Sequence, residues 1–163
     1  MTSVARPAPR RLASFALASV PGNERVALTQ VAESVAGLGL PPARLDKLKT
    51  AVAEATMNAI EHGNDSRPEL PVSVEVFQSG AEVIVTITDR GGRAEAGVPE
   101  DSAEVPDLGR KLGGEQSPRG WGLFLIRHMV DAMDITTEGE RHTVRLMMRT
   151  GYPASQQGGG SDE

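Results

Sequence analysis

Glu54-Ala55-Thr56-Met57-Asn58-Ala59-Ile60-Glu61-His62-Gly63 decides the reading of this chain. The stretch spaces a carboxylate (Glu54), a side-chain amide (Asn58) and an imidazole (His62) four residues apart, the interval at which side chains share one face of an α-helix. Leu45, Leu48, Val52, Ala55 and Ala59 recur at three- and four-residue spacing, which predicts a helix from about Ala43 to His62 with one buried face. Met57 and Ile60 fall on another side, so the helix is expected to be covered from two directions. Glu54, Asn58 and His62 then form a polar ridge along the border of the apolar face, and Gly63-Asn64-Asp65 ends the helix.

Upstream, Leu12 to Ser19 alternates Phe15 and Leu17 with small residues, the pattern of a half-buried strand. Pro21-Gly22-Asn23 turns the chain, with Asn23 placed to cap a helix. That helix carries a stripe of Val26, Val31, Val35 and Leu38 and closes at Gly37-Leu38-Gly39. Pro41-Pro42 opens the key helix, where proline in the first turn is tolerated. Downstream, Val72, Val74, Val76 and Val83, Val85, Ile87 are two period-2 runs joined by Gln78-Ser79-Gly80-Ala81, an antiparallel hairpin. From Arg90 to Gly120 no period is sustained. Loops longer than about 12–15 residues are uncommon in compact domains and are usually functional or disordered. A helix resumes at Trp121 with Leu123, Ile126, Val130 and Met133 on one face, and Ile135–Thr137 pairs with Thr143–Met148 as a second hairpin. Residues 1–10 and 150–163 read as disordered ends, and 11–149 as one domain with a lid at about 90–120. The element order does not alternate strand and helix. It predicts an α+β, two-layer sandwich with a mostly antiparallel sheet and its helices on one face.

Composition narrows the function. With 22 acidic against 17 basic residues, the net charge is −5 and no basic stripe marks a nucleic-acid surface. The absence of cysteine removes disulfides and thiolate metal sites. The three histidines lack the spacing of a helical zinc motif. No apolar run nears the roughly 18 residues of a membrane helix. Arg10-Arg11 before Leu12–Ala18 resembles a short export signal, but Ser14, Ser19 and Pro21 interrupt it, so a cytoplasmic location is expected.

Three segments carry candidate chemistry. Asn58 offers one neutral carbonyl oxygen, which suits a magnesium ion that keeps most of its shell as water and phosphate oxygen. Glu54, one turn earlier, could take a proton from an attacking hydroxyl. Glu and Asn are also common on a solvated helix face, so the decapeptide alone leaves both readings open. Asp89, at a strand end before Gly91-Gly92, is an acceptor-only carboxylate suited to the exocyclic amine of adenine, and the glycines allow backbone to approach a base closely. The same residues make ordinary turn chemistry. Arg119-Gly120-Trp121-Gly122-Leu123 leads the long loop into a helix, whose exposed N–H groups bind phosphate readily. His128 and His142 read as surface or solvated residues, and His62 as helix-ending rather than catalytic. Neither a GxxxxGK[ST] loop nor HRD and DFG triplets occur, which excludes P-loop and eukaryotic-type kinases.

The three segments, in this order, resemble the GHKL ATPase superfamily and its Bergerat fold. Within it the chain resembles the small single-domain anti-sigma factor serine kinases of bacteria. The stretch Glu54 to Gly63 is similar to that family's N-box, Asp89-Arg90-Gly91-Gly92 to its first glycine box, and Gly120-Trp121-Gly122-Leu123-Phe124-Leu125-Ile126 to its second. Asp131 and the closing Thr143-Val144 also fit, and the likeness spans roughly residues 12–149. Two positions depart from the pattern: Arg93 stands where a glycine is usual, and His142 precedes Thr143 in place of a glycine.

The resemblance implies ATP and Mg²⁺ as cofactors, with Asn58 the metal ligand and Glu54 the general base. It places Asp89 at adenine with Gly91 and Gly92 beside it, Gly120, Gly122 and Leu123 under the phosphates with Arg119 adjacent, and His62 along the same ridge. Thr143 would approach the adenine end. The implied activity is phosphorylation of a serine on an anti-anti-sigma (STAS-domain) protein, alternating with sequestration of a sigma factor, often by a homodimer. A non-catalytic module that holds a sigma factor and uses ATP only to set its shape is the rival reading. An ATPase like gyrase or a histidine kinase is a weaker one, since the chain shows neither a transducer domain nor a phosphoacceptor helix pair.

Overall fold

The computed structural model describes residues 8–91 and 118–151, with side chains of 118–121 excepted. Five strands form one sheet in the order β1-β2-β3-β5-β4. They are β1 (Arg10–Ala18), β2 (Pro71–Ser79), β3 (Glu82–Asp89), β4 (Ala132–Glu138) and β5 (Arg141–Arg149). Every neighbouring pair is antiparallel. Among the described residues, three α-helices, α1 (Asn23–Ser34), α2 (Pro42–Asn58) and α3 (Pro118–Met129), complete an α+β architecture. No helix among the described residues is long and apolar enough to cross a membrane.

The strands form where the period-2 pattern lies. Val72, Val74 and Val76 of β2 and Val83, Val85 and Ile87 of β3 are each at most 1 % exposed and point to one side, where Leu48, Ala51, Val52 and Ala55 of α2 meet them in a single core. Full burial of an aliphatic side chain of this size stabilises by about 1.5–3 kcal/mol relative to leaving it in water. The valines thus hold α2, and the ridge it carries, against the sheet.

Several local expectations are corrected. Asn23 is the first residue of α1 and not its cap; the cap position is Gly22, and the Asn23 amide reaches back to the Ala18 carbonyl at 2.8 Å. Val26 is 40 % exposed, because the buried stripe of α1 runs through Ala27 and Val31, four apart. The key helix does not stay α-helical to His62. After Asn58 it widens into a π-turn, Ala59–Gly63, closed by Asn64 N–H donating to Ala59 O at 2.8 Å. The helix expected from Trp121 begins at Pro118, whose fixed φ suits a first turn. At the ends, Arg10 already belongs to β1, and Thr150 is buried with its N–H on Ala81 O at 2.9 Å. Apart from Arg90, Gly91 and 118–120, the expected lid lies outside the described residues, as do Gly92, Arg93 and the ends at 1–7 and 152–163.

Candidate nucleotide site

Glu54 and Asn58 lie one turn apart near the C-terminal end of α2, both half-buried. The first turns of α3 pass directly over them. A Cβ built on Gly122 would stand 3.0 Å from Glu54 Oε1, 3.3 Å from Asn58 Nδ2 and 3.4 Å from Asn58 Oδ1. Two segments more than 60 residues apart in sequence therefore meet at the polar ridge. Leu123 and Ile126 of α3 are buried in the core at 4 % and 0 % exposure and keep the two helices together. Glu54 makes no hydrogen bond or ion pair among the described residues, so neither oxygen is committed to a structural role there.

Asn58 Nδ2 is buried and has no hydrogen-bond partner among the described residues. A buried polar atom without a protein partner is uncommon and needs a reason. Turning the amide over exchanges its donor for its oxygen, so the carbonyl can take this buried position. The described residues hold no cluster of three or more His, Asp or Glu side chains suited to a metal. The donor set therefore fits magnesium only as an ion delivered with phosphates, for which one amide oxygen beside phosphate and water suffices.

The second part of the site is the end of β3. Asp89 is 7 % exposed. Its Oδ1 accepts the Gly91 N–H at 3.2 Å and lies 3.3 Å from His142 Nδ1. The π-turn brings Gly63 face to face with this carboxylate, and a side chain on Gly63 would overlap it. Gly91 in turn lies so close to the Gly63 carbonyl that it too has no room for a Cβ. Both glycines are required by close approach, since any larger residue would part β3 from the end of the α2 segment.

Asn64 is the residue that sequence reasoning undervalued. It is fully buried, and its Oδ1 accepts the Arg90 N–H at 2.9 Å. Its Nδ2 donates to Ser19 Oγ at 2.8 Å and to Pro71 O at 3.1 Å. One amide thus ties the π-turn to the end of β1, the start of β2 and the backbone just after Asp89. The only advance signal was an amide residue at a helix end, which ordinary termination chemistry also explains.

Thr143 does not face the site. In the β3–β5 ladder Asp89 pairs with His142, and Thr88 with Thr143. Side chains alternate between faces, so Thr143 points to the side of the sheet away from the helices, where its hydroxyl hydrogen-bonds Thr88 at 2.9 Å. His142 takes the inward position and is not solvated as expected, since its side chain is 14 % exposed. A one-residue step exchanges every side chain across a sheet. His128 is exposed, as read from sequence, with Nδ1 3.1 Å from Phe124 O. His62 is half-exposed and makes no hydrogen bond among the described residues. Arg119 and Gly120 lie in the first turn of α3. The Leu123 side chain is buried in the core. Asp131 closes the far end of α3, accepting the Arg149 N–H at 2.7 Å and pairing with Arg44 at 3.2 Å.

The model of the family described as the histidine kinase-like ATPase domain matches residues 17–148. The chain belongs to that family. Among curated relatives of this ATPase domain, an anti-sigma F factor of Oceanobacillus iheyensis is 32 % identical over 137 residues, covering 83 % of this chain and 90 % of the relative. An anti-sigma F factor of Geobacillus stearothermophilus is 32 % identical over 122 residues, covering 74 % and 80 %. Among solved structures, the RsbU and RsbW domains of a Mycobacterium tuberculosis protein share the fold at a TM-score of 0.58 and 20 % identity, over 84 % of this chain and 31 % of that longer one. The SiaB–SiaC complex of Pseudomonas aeruginosa does so at 0.59 and 14 %, over 85 % and 90 %. An ATPase domain implies ATP as the nucleotide.

Proposed function

We propose that this protein is an anti-sigma factor and ATP-dependent protein serine kinase that phosphorylates a STAS-type anti-anti-sigma partner and alternatively holds a sigma factor. The observation that carries the reading is the meeting of Gly122 with Glu54 and Asn58, which puts a helix start, an acid and an amide within reach of one another. The anti-sigma F factor relatives support the partner-switching half of the proposal.

In this site Asn58 would hold Mg²⁺, and the first-turn N–H groups of α3, with the positive end of the helix dipole, would hold phosphate oxygens. Bound Mg²⁺ would neutralise charge on the phosphates. Asp89 would accept a hydrogen bond from the adenine amine, with Gly91 and Gly92 passing beside the base. Glu54 would accept the proton of the partner's serine hydroxyl as that oxygen bonds to the γ-phosphorus and the β–γ bridging bond breaks, leaving ADP. Phosphoryl transfer asks chiefly for positioning and charge stabilisation, so this small set of groups is sufficient.

The test is the intact mass of a STAS partner incubated with the protein and Mg·ATP. Gain of one phosphoryl group supports the kinase. An unchanged mass, with ATP-dependent binding of a sigma factor, favours the non-catalytic module.

A further inference from the structure

Asp89 is the last residue of β3. His142 stands directly opposite on β5, and the two side chains, of Asp89 and His142, are only 11 % and 14 % exposed. The Asp89 oxygen that lies 3.3 Å from His142 Nδ1 is the one that also accepts the Gly91 N–H at 3.2 Å. Gly63 walls off one face of the same carboxylate. The terminal torsion of an aspartate is broad and sets no plane by itself. Two donors on one oxygen and a wall against one face do set it.

We infer that His142 is a positioning residue for nucleobase selection: it donates Nδ1–H to Asp89 Oδ1 and fixes the carboxylate plane that distinguishes a 6-amino purine from a 6-oxo purine. The inference rests on the reading of this site as an ATP site. An ionised carboxylate only accepts, so it favours the adenine amine and opposes the oxygen that guanine or hypoxanthine presents at the same position. That opposition holds only if the carboxylate is aimed. A freely rotating one turns away from a 6-oxo group and discriminates little. The carboxylate also selects the tautomer, since it needs a proton on Nδ1, and both neutral and charged imidazole can provide one.

The test is calorimetric binding of Mg·ADP, Mg·GDP and Mg·IDP to the full chain and its variants, with thermal unfolding of each variant recorded alongside. His142→Ala is expected to weaken ADP roughly tenfold, the loss of one hydrogen bond to a charged group, while GDP and IDP change little. The ADP/GDP preference then falls by the same factor. His142→Asn, whose amide N–H can stand in for Nδ1–H, is expected to restore most of it. In an Asp89→Ala background His142→Ala is expected to change ADP affinity no further, as a coupled pair requires. Equal weakening of all three nucleotides in His142→Ala, or an unchanged preference, would overturn the inference while leaving the ATP site intact. Failure of the wild-type chain to bind ADP would overturn the ATP site and the inference with it.

Discussion

Gly122 and Glu54 face each other so closely that a methyl group added to the glycine would lie 3.0 Å from the carboxylate Oε1. The contact ties the start of α3 to the ridge of α2, and it leaves no slack between the acid and the helix. Gly122→Ala should therefore push Glu54 and Asn58 aside by a few tenths of an ångström without disturbing the core beneath. Misplacement of reacting groups on this scale is expressed in rate rather than in folding. A fall of roughly tenfold or more in phosphoryl transfer, with little change in Tm, is expected; an equal loss of stability and rate would point to a packing role only.

Gly63 makes a different prediction. A side chain there would overlap Asp89, and the two segments would have to separate. Gly63→Ala should destabilise the fold by about 1–3 kcal/mol, the usual range for overpacking, and should also abolish ADP binding under conditions where the variant remains folded. Urea unfolding and calorimetry on the same sample check both parts.

Asn64 should behave as a structural hub. Asn64→Ala strands the Arg90 N–H and removes the donor that reaches Ser19 and Pro71. Leaving a buried polar group unsatisfied costs about 1–3 kcal/mol. The expected result is a lower urea midpoint with an unchanged m-value. Nucleotide affinity should fall as well, because Arg90 follows Asp89 directly.

How much of this was legible in advance depended on periodicity. The runs of β2 and β3 announced both their strands and their inward faces, since Val72, Val74, Val76 and Val83, Val85, Ile87 recur at every second position. The spacing of Glu54 and Asn58 likewise announced a shared helical face. Four things escaped. The π-turn depends on Gly63 packing against Asp89 and on the Asn64 hydrogen bonds, contacts between segments far apart in sequence. Val26 is apolar and reads as part of the helical stripe, while the smaller Ala27 holds the buried position four residues before Val31. The inward place of His142 lies in the parity of Val144, Leu146 and Met148, all of which share its face, whereas the family resemblance implied Thr143. The meeting of Gly122 with the ridge could not be read from either segment alone.

The metal proposal is tested by removing the metal. Asn58→Ala should weaken ADP binding roughly tenfold or more in the presence of Mg²⁺, in line with loss of a ligand supported by charge. With EDTA present, wild type and variant should bind ADP alike. If the deficit of the variant persisted unchanged in EDTA, Asn58 would act on the nucleotide without the ion.

The most direct measurement is single-turnover transfer of labelled γ-phosphate to an anti-anti-sigma STAS protein, comparing wild type with Glu54→Gln. Removing a general base typically lowers the rate by 10²–10⁴-fold. The prediction is labelling of the partner serine by the wild type and a loss of that size in Glu54→Gln, with ADP affinity of the variant retained. Equal labelling by both proteins would contradict the role given to Glu54, and the absence of labelling by either would contradict the kinase itself.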